Sequence, residues 1–261
     1  MAVDVVVINY KTNDLLQNFI ASYEEHKFDG CSLTVVDVEK STFDEPSGVV
    51  MAGSRSLDYS YFSTRDNVGY GTACNMGARY GINDVILLAN ADTLLSDGFE
   101  ECYNALMLHE DWGVLGPRQV DERNHITAGG IFGHDRAPKQ RGWNEFDRNQ
   151  YNDVREDALS VSGSLYFIKR SVWQELTLCE EFEKVQPNTM GAFLQTPHYF
   201  EETFCSYHAR AHGFKVVYYG PVKMVHLWHR ASNHGSWADR QFGISQQMHR
   251  EACAVHAIVC E

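Results

Sequence analysis

The stretch DVILLANADTLLSDGF, residues 84–99, carries an apolar run, Val85 to Leu88, straight into Asn90-Ala91-Asp92. A short apolar run bounded by polar residues suits a strand covered on both faces, as in a parallel sheet. A carboxylate then stands where the strand ends. The residues alone leave two readings of Asp92 open. It caps the turn that follows, or it is a ligand for a hard divalent cation holding a diphosphate, since Mg2+-like ions bind through one or two carboxylates plus phosphate oxygens.

Working outward, the same pattern recurs. Val5 to Ile8 reads as a buried strand, and Asn13 to Glu25 has the spacing of an amphipathic helix. Leu33 to Val36 is a second run ending at Asp37, and YSYFST (59–64) reads as a third strand. GYGTACNMGARYG (69–81) reads as a small-residue helix closed by Gly81 at a C′ position. Strands and helices alternating at this pace predict an α/β fold with a Rossmann-like, mostly parallel central sheet and helices on both faces. Ligands in such sheets bind beyond the C-terminal strand ends. Asn9-Tyr10, Asp37, and Asn90 with Asp92 all fall on that edge.

The second half is less regular. WGVLGPRQV (112–120) and SVSGSLYFIK (160–169) are strand-like, and the polar stretch 133–157 between them reads as a surface excursion. YFEETFCSYHARAHG (199–213) reads as a helix stopped by Gly213, with Glu201 and Glu202 near its start. The next run is broken by Gly220-Pro221 and ends at His226, and a helix is expected from about Ala238. Its apolar positions Phe242, Ile244, Met248, Ala252, Val255 and Ile258 need a partner surface.

Composition narrows the function classes. At 261 residues, 44% of them hydrophobic, the chain is long enough for one sizeable α/β domain. The formal charge is 22 minus 35, or −13, with no run of Lys or Arg. That argues against a dedicated nucleic-acid binder, whose affinity rests on neutralising phosphates. The seven scattered cysteines form no CxxC pair and suggest reduced thiols in a cytoplasmic protein. The apolar run of MAVDVVVINY is too short for a membrane span or a signal peptide.

Each candidate site residue has a structural alternative. Gly69 and its neighbours in NVGYGTACNMG (67–77) match neither GxGxxG nor a Walker motif, and small residues in a helix also serve close packing. Glu201 and Glu202 either complement the helix dipole or supply a general base for a substrate hydroxyl. His226 follows the apolar stretch VKMV, which places it at a strand end rather than in a loop.

Taken in order, VVVINYKTNDLL, VVDVEKS, NVGYGTACNMGARYG, VILLANADTLL, GVLGPR, VSGSLYFIKRSVW and YFEETFCSYHARAHGFKVVYYGPVKMVH resemble a family 2 glycosyltransferase of the GT-A fold, in its rhamnosyltransferase-like branch. The resemblance runs from about Val5 to His226. It implies that Asn9, Tyr10 and Asp37 hold the nucleotide base and ribose, and that Asn67 and Gly69 lie along the donor nucleotide. It puts Asn90-Ala91-Asp92 on the DxD-type motif, with Asp92 the metal carboxylate. Glu201-Glu202 fall on the acidic pair carrying the catalytic base, Glu202 being favoured, and His226 on a His that completes the metal site. It implies Mn2+ or Mg2+ as cofactor, a nucleoside diphosphate sugar donor (UDP first, dTDP second), a hydroxyl acceptor, and inversion by direct displacement.

The chain departs from that pattern in several places. Asn90 and Ala91 replace the usual Asp and Pro, Glu202 replaces an Asp, and Phe204 and His208 stand where Asp and Arg are common. The stretch from Cys179 to Phe200 is longer than the family's link. The expected organisation is a GT-A domain over 1–230, divided into a nucleotide-sugar half (1–118) and an acceptor half (119–230), with a helical tail at 231–261. Two rival readings are a sugar nucleotidyltransferase, which should show a Gly-rich loop after the first strand, and a catalytically silent sugar-nucleotide-binding module.

Overall fold

The structure, a computed structural model, describes residues 2–39, 59–134, 137–187, 189–227 and 236–255. In chain order the elements are β1 (Val3–Asn9), α1 (Asn13–His26), β2 (Ser32–Asp37), β3 (Tyr59–Ser63), α2 (Tyr70–Tyr80), β4 (Val85–Asn90), β5 (Thr93–Leu94), α3 (Phe99–Leu108) and β6 (Trp112–Val120). They continue with β7 (Ile126–Ala128), β8 (Ile131–His134), β9 (Ala137–Gln140), β10 (Val154–Arg155), β11 (Leu165–Lys169), α4 (Arg170–Leu178), α5 (Glu180–Val185), α6 (Glu201–Ala211), β12 (Lys215–His226) and α7 (Ser236–Val255).

The central sheet runs β10-β12-β6-β11-β4-β1-β2-β3, with β5 paired to β12 and β7 to β6. The pairs β4-β1, β1-β2, β2-β3 and β6-β12 are parallel, and β11 runs antiparallel between β6 and β4. Alternate residues of one strand feed opposite cores because side chains in a strand point to alternate faces. Val5 and Val7 of β1 join Leu16 and Phe19 of α1 and Phe99 and Leu106 of α3 on one face. Val6 and Ile8 join Ala73 and Ala78 of α2, Val172 and Leu176 of α4, and Cys205 and Ala209 of α6 on the other. Both faces of the strands are buried, which is why they read as unbroken apolar runs. The sheet with helices on both faces is as the sequence predicts.

Several local expectations are corrected. Gly81 is not in a left-handed C′ conformation; its φ is −82°. Its lack of a side chain makes room instead, since a Cβ there would stand 2.0 Å from Asp4 Oδ2. Gly213, by contrast, does stop its helix at φ +87°. Gly220-Pro221 does not divide the last strand, because β12 runs through it and absorbs the pair in a register shift against β6. The polar excursion is partly regular, with β8 and β9 forming their own two-stranded sheet.

The tail helix α7 packs through a face that only partly matches the one expected: Ala252 is buried and Phe242, though exposed, meets Phe200 at 5.1 Å between ring centroids. Ser245, His249, Ala252 and Cys253 are buried, while Phe242, Ile244 and Val255 are exposed. Aromatic rings decide this: His249 stacks on Phe200 at 5.3 Å between ring centroids and also meets Phe204 and Tyr207 of α6. Ile258 lies outside the described residues.

Candidate active site

Strand pairing brings Asp92 and His226 together. β4 ends at Asn90, and β5 resumes at Thr93 to pair antiparallel with β12, placing Thr93 opposite His226. Leu227 N–H then donates to Asp92 O at 2.7 Å, which locks the turn against the strand end. Asp92 is 3% exposed and His226 9%, and His226 Nε2 lies 3.5 Å from Asp92 Oδ1. Asp92 Oδ1 and His226 Nδ1 are buried without a hydrogen-bond partner among the described residues. A buried carboxylate oxygen with no donor is costly unless a cation compensates it. Ligand atoms about 2.1 Å from one ion stand about 3.0–3.4 Å apart. A hard divalent ion therefore fits the pair.

A hydrogen-bonded bridge leads from this turn to the acidic pair. Tyr70, at the first position of α2, donates its hydroxyl to Asn90 Oδ1 at 2.6 Å, with Gly163 O a second acceptor at 3.2 Å. Gly163 in turn lies under Glu202, where a Cβ would stand 3.0 Å from the Glu202 Cδ. Glu202 is half-buried, while Glu201 is 3% exposed and accepts the Thr196 hydroxyl at 2.7 Å. Burial, then the neighbouring Glu202 charge, pushes the Glu201 carboxyl up to about 8. Burial raises Glu202 as well. Of the two, Glu202 is the less buried residue, and Glu201 is held internally by Thr196.

The backbone that delivers this pair is strained. Tyr199 and Phe200 both sit in the left-handed region, at φ 76° and 71°, immediately before α6. His198 precedes them, edge-on to Tyr70 at 6.0 Å between ring centroids and within electrostatic reach of Asp92. Burial holds its imidazole down at about 4, so the ring is neutral near pH 7.

The remaining sequence-predicted residues are placed as follows. Asn9 and Asp37 end β1 and β2 opposite each other, both wholly buried, with Asn9 Nδ2 donating to Asp37 Oδ1 at 2.8 Å. Asp37 Oδ2 accepts the Tyr61 hydroxyl at 2.6 Å. Tyr10 lies just past β1, half-buried, with Lys11 over its ring. Asn67 is exposed and accepts the Gly69 N–H at 3.0 Å. Gly69 has φ +80°, and a Cβ there would stand 2.9 Å from Thr196 O.

The glycines of α2 serve one neighbour, the long segment before α6. A Cβ at Gly71 would stand 2.0 Å from Leu194 O, and Tyr70 N–H donates to Pro197 O. Asn75 exchanges hydrogen bonds with both backbone groups of Phe193. The first turn of α2 is thus covered by residues 194–197, against which its glycines pack. Sequence reasoning missed Tyr70, Gly163, Thr196 and His198. The sole sign of the last two was the unusual length of the link before the acidic pair.

Residues 2–254 match the model of the glycosyltransferase-like family 2. The chain belongs to this family. Among solved structures, GalNAc-T7 with UDP, GalNAc and Mn2+ superposes with a TM-score of 0.69 at 12% identity, over 97% of this chain and 48% of that one. A mannosyltransferase from Pyrobaculum calidifontis, in complex with GDP-Man and Mn2+, gives 0.61 at 16% identity, over 97% and 64%. S. aureus TarS residues 1–349 gives 0.60 at 12%, over 98% and 65%. At such identities the likeness shows the fold alone, which is GT-A. The family 2 chain spans about two thirds or less of these structures' lengths. No curated protein matches it in sequence. Among the described residues no helix is long and apolar enough to cross a membrane.

Proposed function

We propose that this family 2 chain is a metal-dependent, inverting glycosyltransferase that moves a sugar from a nucleoside diphosphate to a hydroxyl of a glycan or protein. A modified nucleic-acid base is disfavoured as acceptor by the charge of −13. The observation that carries the reading is the buried Asp92–His226 pair with unmet polar atoms, joined through Asn90 and Tyr70 to the half-buried Glu202.

Asp92 and His226 would hold Mn2+ or Mg2+, and such an ion offsets charge developing on the diphosphate leaving group. Glu202 takes the acceptor proton as the hydroxyl attacks the anomeric carbon, and its raised pKa suits it to that role. Glu201, held by Thr196, positions its neighbour. Asn9, Tyr10, Asp37, Asn67, Gly69 and Asn90 line the nucleotide side. In this reading residues 1–118 form the donor half, 119–230 the acceptor half, and 231–261 a helical tail. UDP is the first choice of nucleotide and dTDP the second; two of the similar structures hold a UDP-linked or UDP ligand. Free thiols at the described cysteines suit a cytoplasmic setting.

The test is a screen of nucleotide sugars for hydrolysis and thermal stabilisation, with Mn2+ and with EDTA, since a ligand of the native state raises its melting temperature. Metal-dependent stabilisation and hydrolysis by one donor are expected. Equal affinity in EDTA would overturn the metal role. Binding without turnover under all conditions would favour a silent module, and release of nucleoside triphosphate from sugar nucleotide and pyrophosphate a nucleotidyltransferase.

A further inference from the structure

A second group of metal-ligating side chains lies at the opposite end of α6 from the acidic pair. Cys179, in the link between α4 and α5, places its Sγ 3.1 Å from His208 Nε2. His212 follows one turn after His208, with the two rings at 4.8 Å between centroids and 78° between planes. One ligand atom from each of Cys179, His208 and His212 lies within 4.8 Å of the others. Glu175 of α4 meets His212 Nδ1 at 3.1 Å. A carboxylate on one imidazole nitrogen fixes the ring and leaves the other nitrogen for a metal, the usual outer-shell arrangement of a histidine ligand.

We propose that Cys179, His208 and His212 form a zinc site, oriented by Glu175 and independent of the glycosyl-transfer reading. The ligand chemistry selects the ion: one thiolate and two imidazoles suit zinc, and oxygen-seeking Mg2+ or Ca2+ does not prefer them. Three protein ligands leave a fourth tetrahedral position for water. The Cys179 proton leaves to solvent as the thiolate binds, so the step is a simple ligand exchange. The electrostatics agree, because the site lies at the C-terminal end of α6, where the helix dipole favours a cation. It shares no residue with the Asp92–His226 pair, and along α6 His208 stands about 9 Å beyond Glu202 at 1.5 Å per residue. The ion would tie the α4–α5 link to α6, and with it the segment that runs on to the acidic pair.

The test uses tag-free protein carrying Asp92→Ala, which removes the donor-side carboxylate, titrated with Zn2+ alone against a chromophoric chelator. One bound equivalent and a raised melting temperature are expected. Glu175→Gln, at an exposed position, should weaken zinc binding about 10–100-fold, and His212→Gln more than that. Co2+ should give intense tetrahedral d–d bands with a thiolate charge-transfer band that Cys179→Ser removes. Should Asp92→Ala fail to fold, the wild-type protein should bind one more zinc than His212→Gln does. No stoichiometric zinc, or binding unchanged in His212→Gln, overturns the proposal.

Discussion

Asn9 with Asp37, at the ends of β1 and β2, and Asp92 with His226, at the ends of the β4 turn and β12, are two buried polar pairs on one edge of the sheet. They differ in what they leave unmet. Asp37 accepts from Asn9 with one oxygen and from Tyr61 with the other, and Asn9 Oδ1 accepts the Thr12 hydroxyl at 2.8 Å. Asp92 is nearly as deeply set, yet neither its Oδ1 nor His226 Nδ1 has a hydrogen-bond partner among the described residues. The first pair stitches parallel strands together. The second holds charge that folding alone does not balance. Burial therefore does not distinguish the two carboxylates; hydrogen-bonding capacity left unmet among the described residues does.

The largest expected effect lies beyond both pairs. Glu202→Gln should lower transfer about 10²–10⁴-fold, the usual contribution of a general base, while nucleotide affinity by calorimetry stays as in the wild type. Full activity in that variant would remove Glu202 from the role. Next, Asp92→Ala should abolish metal-dependent nucleotide binding without lowering the melting temperature of the unliganded protein, because it deletes an uncompensated buried carboxylate. Asp37→Ala should do the reverse to stability. It removes the carboxylate that accepts from Asn9 Nδ2 and from the Tyr61 hydroxyl, a loss of about 1–3 kcal/mol read by urea denaturation. If Asp92→Ala proves the more destabilising of the two, the contrast between the pairs is wrong.

The smallest effect is graded and concerns Glu201. Its folded pKa of about 8 lies above the ordinary carboxylate value, so the folded state keeps a proton that the unfolded chain loses. The stabilisation is fully present below the ordinary value and is lost as pH rises through about 8. The slope from this group reaches about 1.4 kcal/mol per pH unit at most. Glu201→Gln should flatten the decline of melting temperature above pH 6.5, where buried His198 and His249, both held down at about 4, are neutral in the folded protein.

The parallel half of the sheet was legible because its strands are covered on both faces, which leaves Val3–Asn9 and Val85–Asn90 as apolar runs ending in polar side chains. Helix α3 was passed over although Phe99, Cys102, Tyr103 and Leu106 carry a helical period. Asp92 and His226 could be suspected one by one, but their contact depends on a two-residue strand pairing with the end of β12, which has no local signature. The tail misled for a related reason. Its most hydrophobic positions are exposed, and the buried face holds Ser245 and His249, whose environment comes from aromatic residues of α6 and the turn before it. Tyr70 was visible within NVGYGTACNMG, but its hydroxyl gains meaning only from Asn90 and Gly163, which other parts of the chain supply.

Tyr199 and Phe200, the left-handed residues ahead of α6, carry one more consequence. Two bulky side chains in that region cost on the order of 1–3 kcal/mol each, and glycine at either position would relieve it. Both side chains also pack on α7, Phe200 against Phe242 and His249 and Tyr199 against Phe242, so relief of the backbone is offset by lost packing. In the proposed reading, the same relaxation would loosen the turn that aims Glu202 and slow turnover.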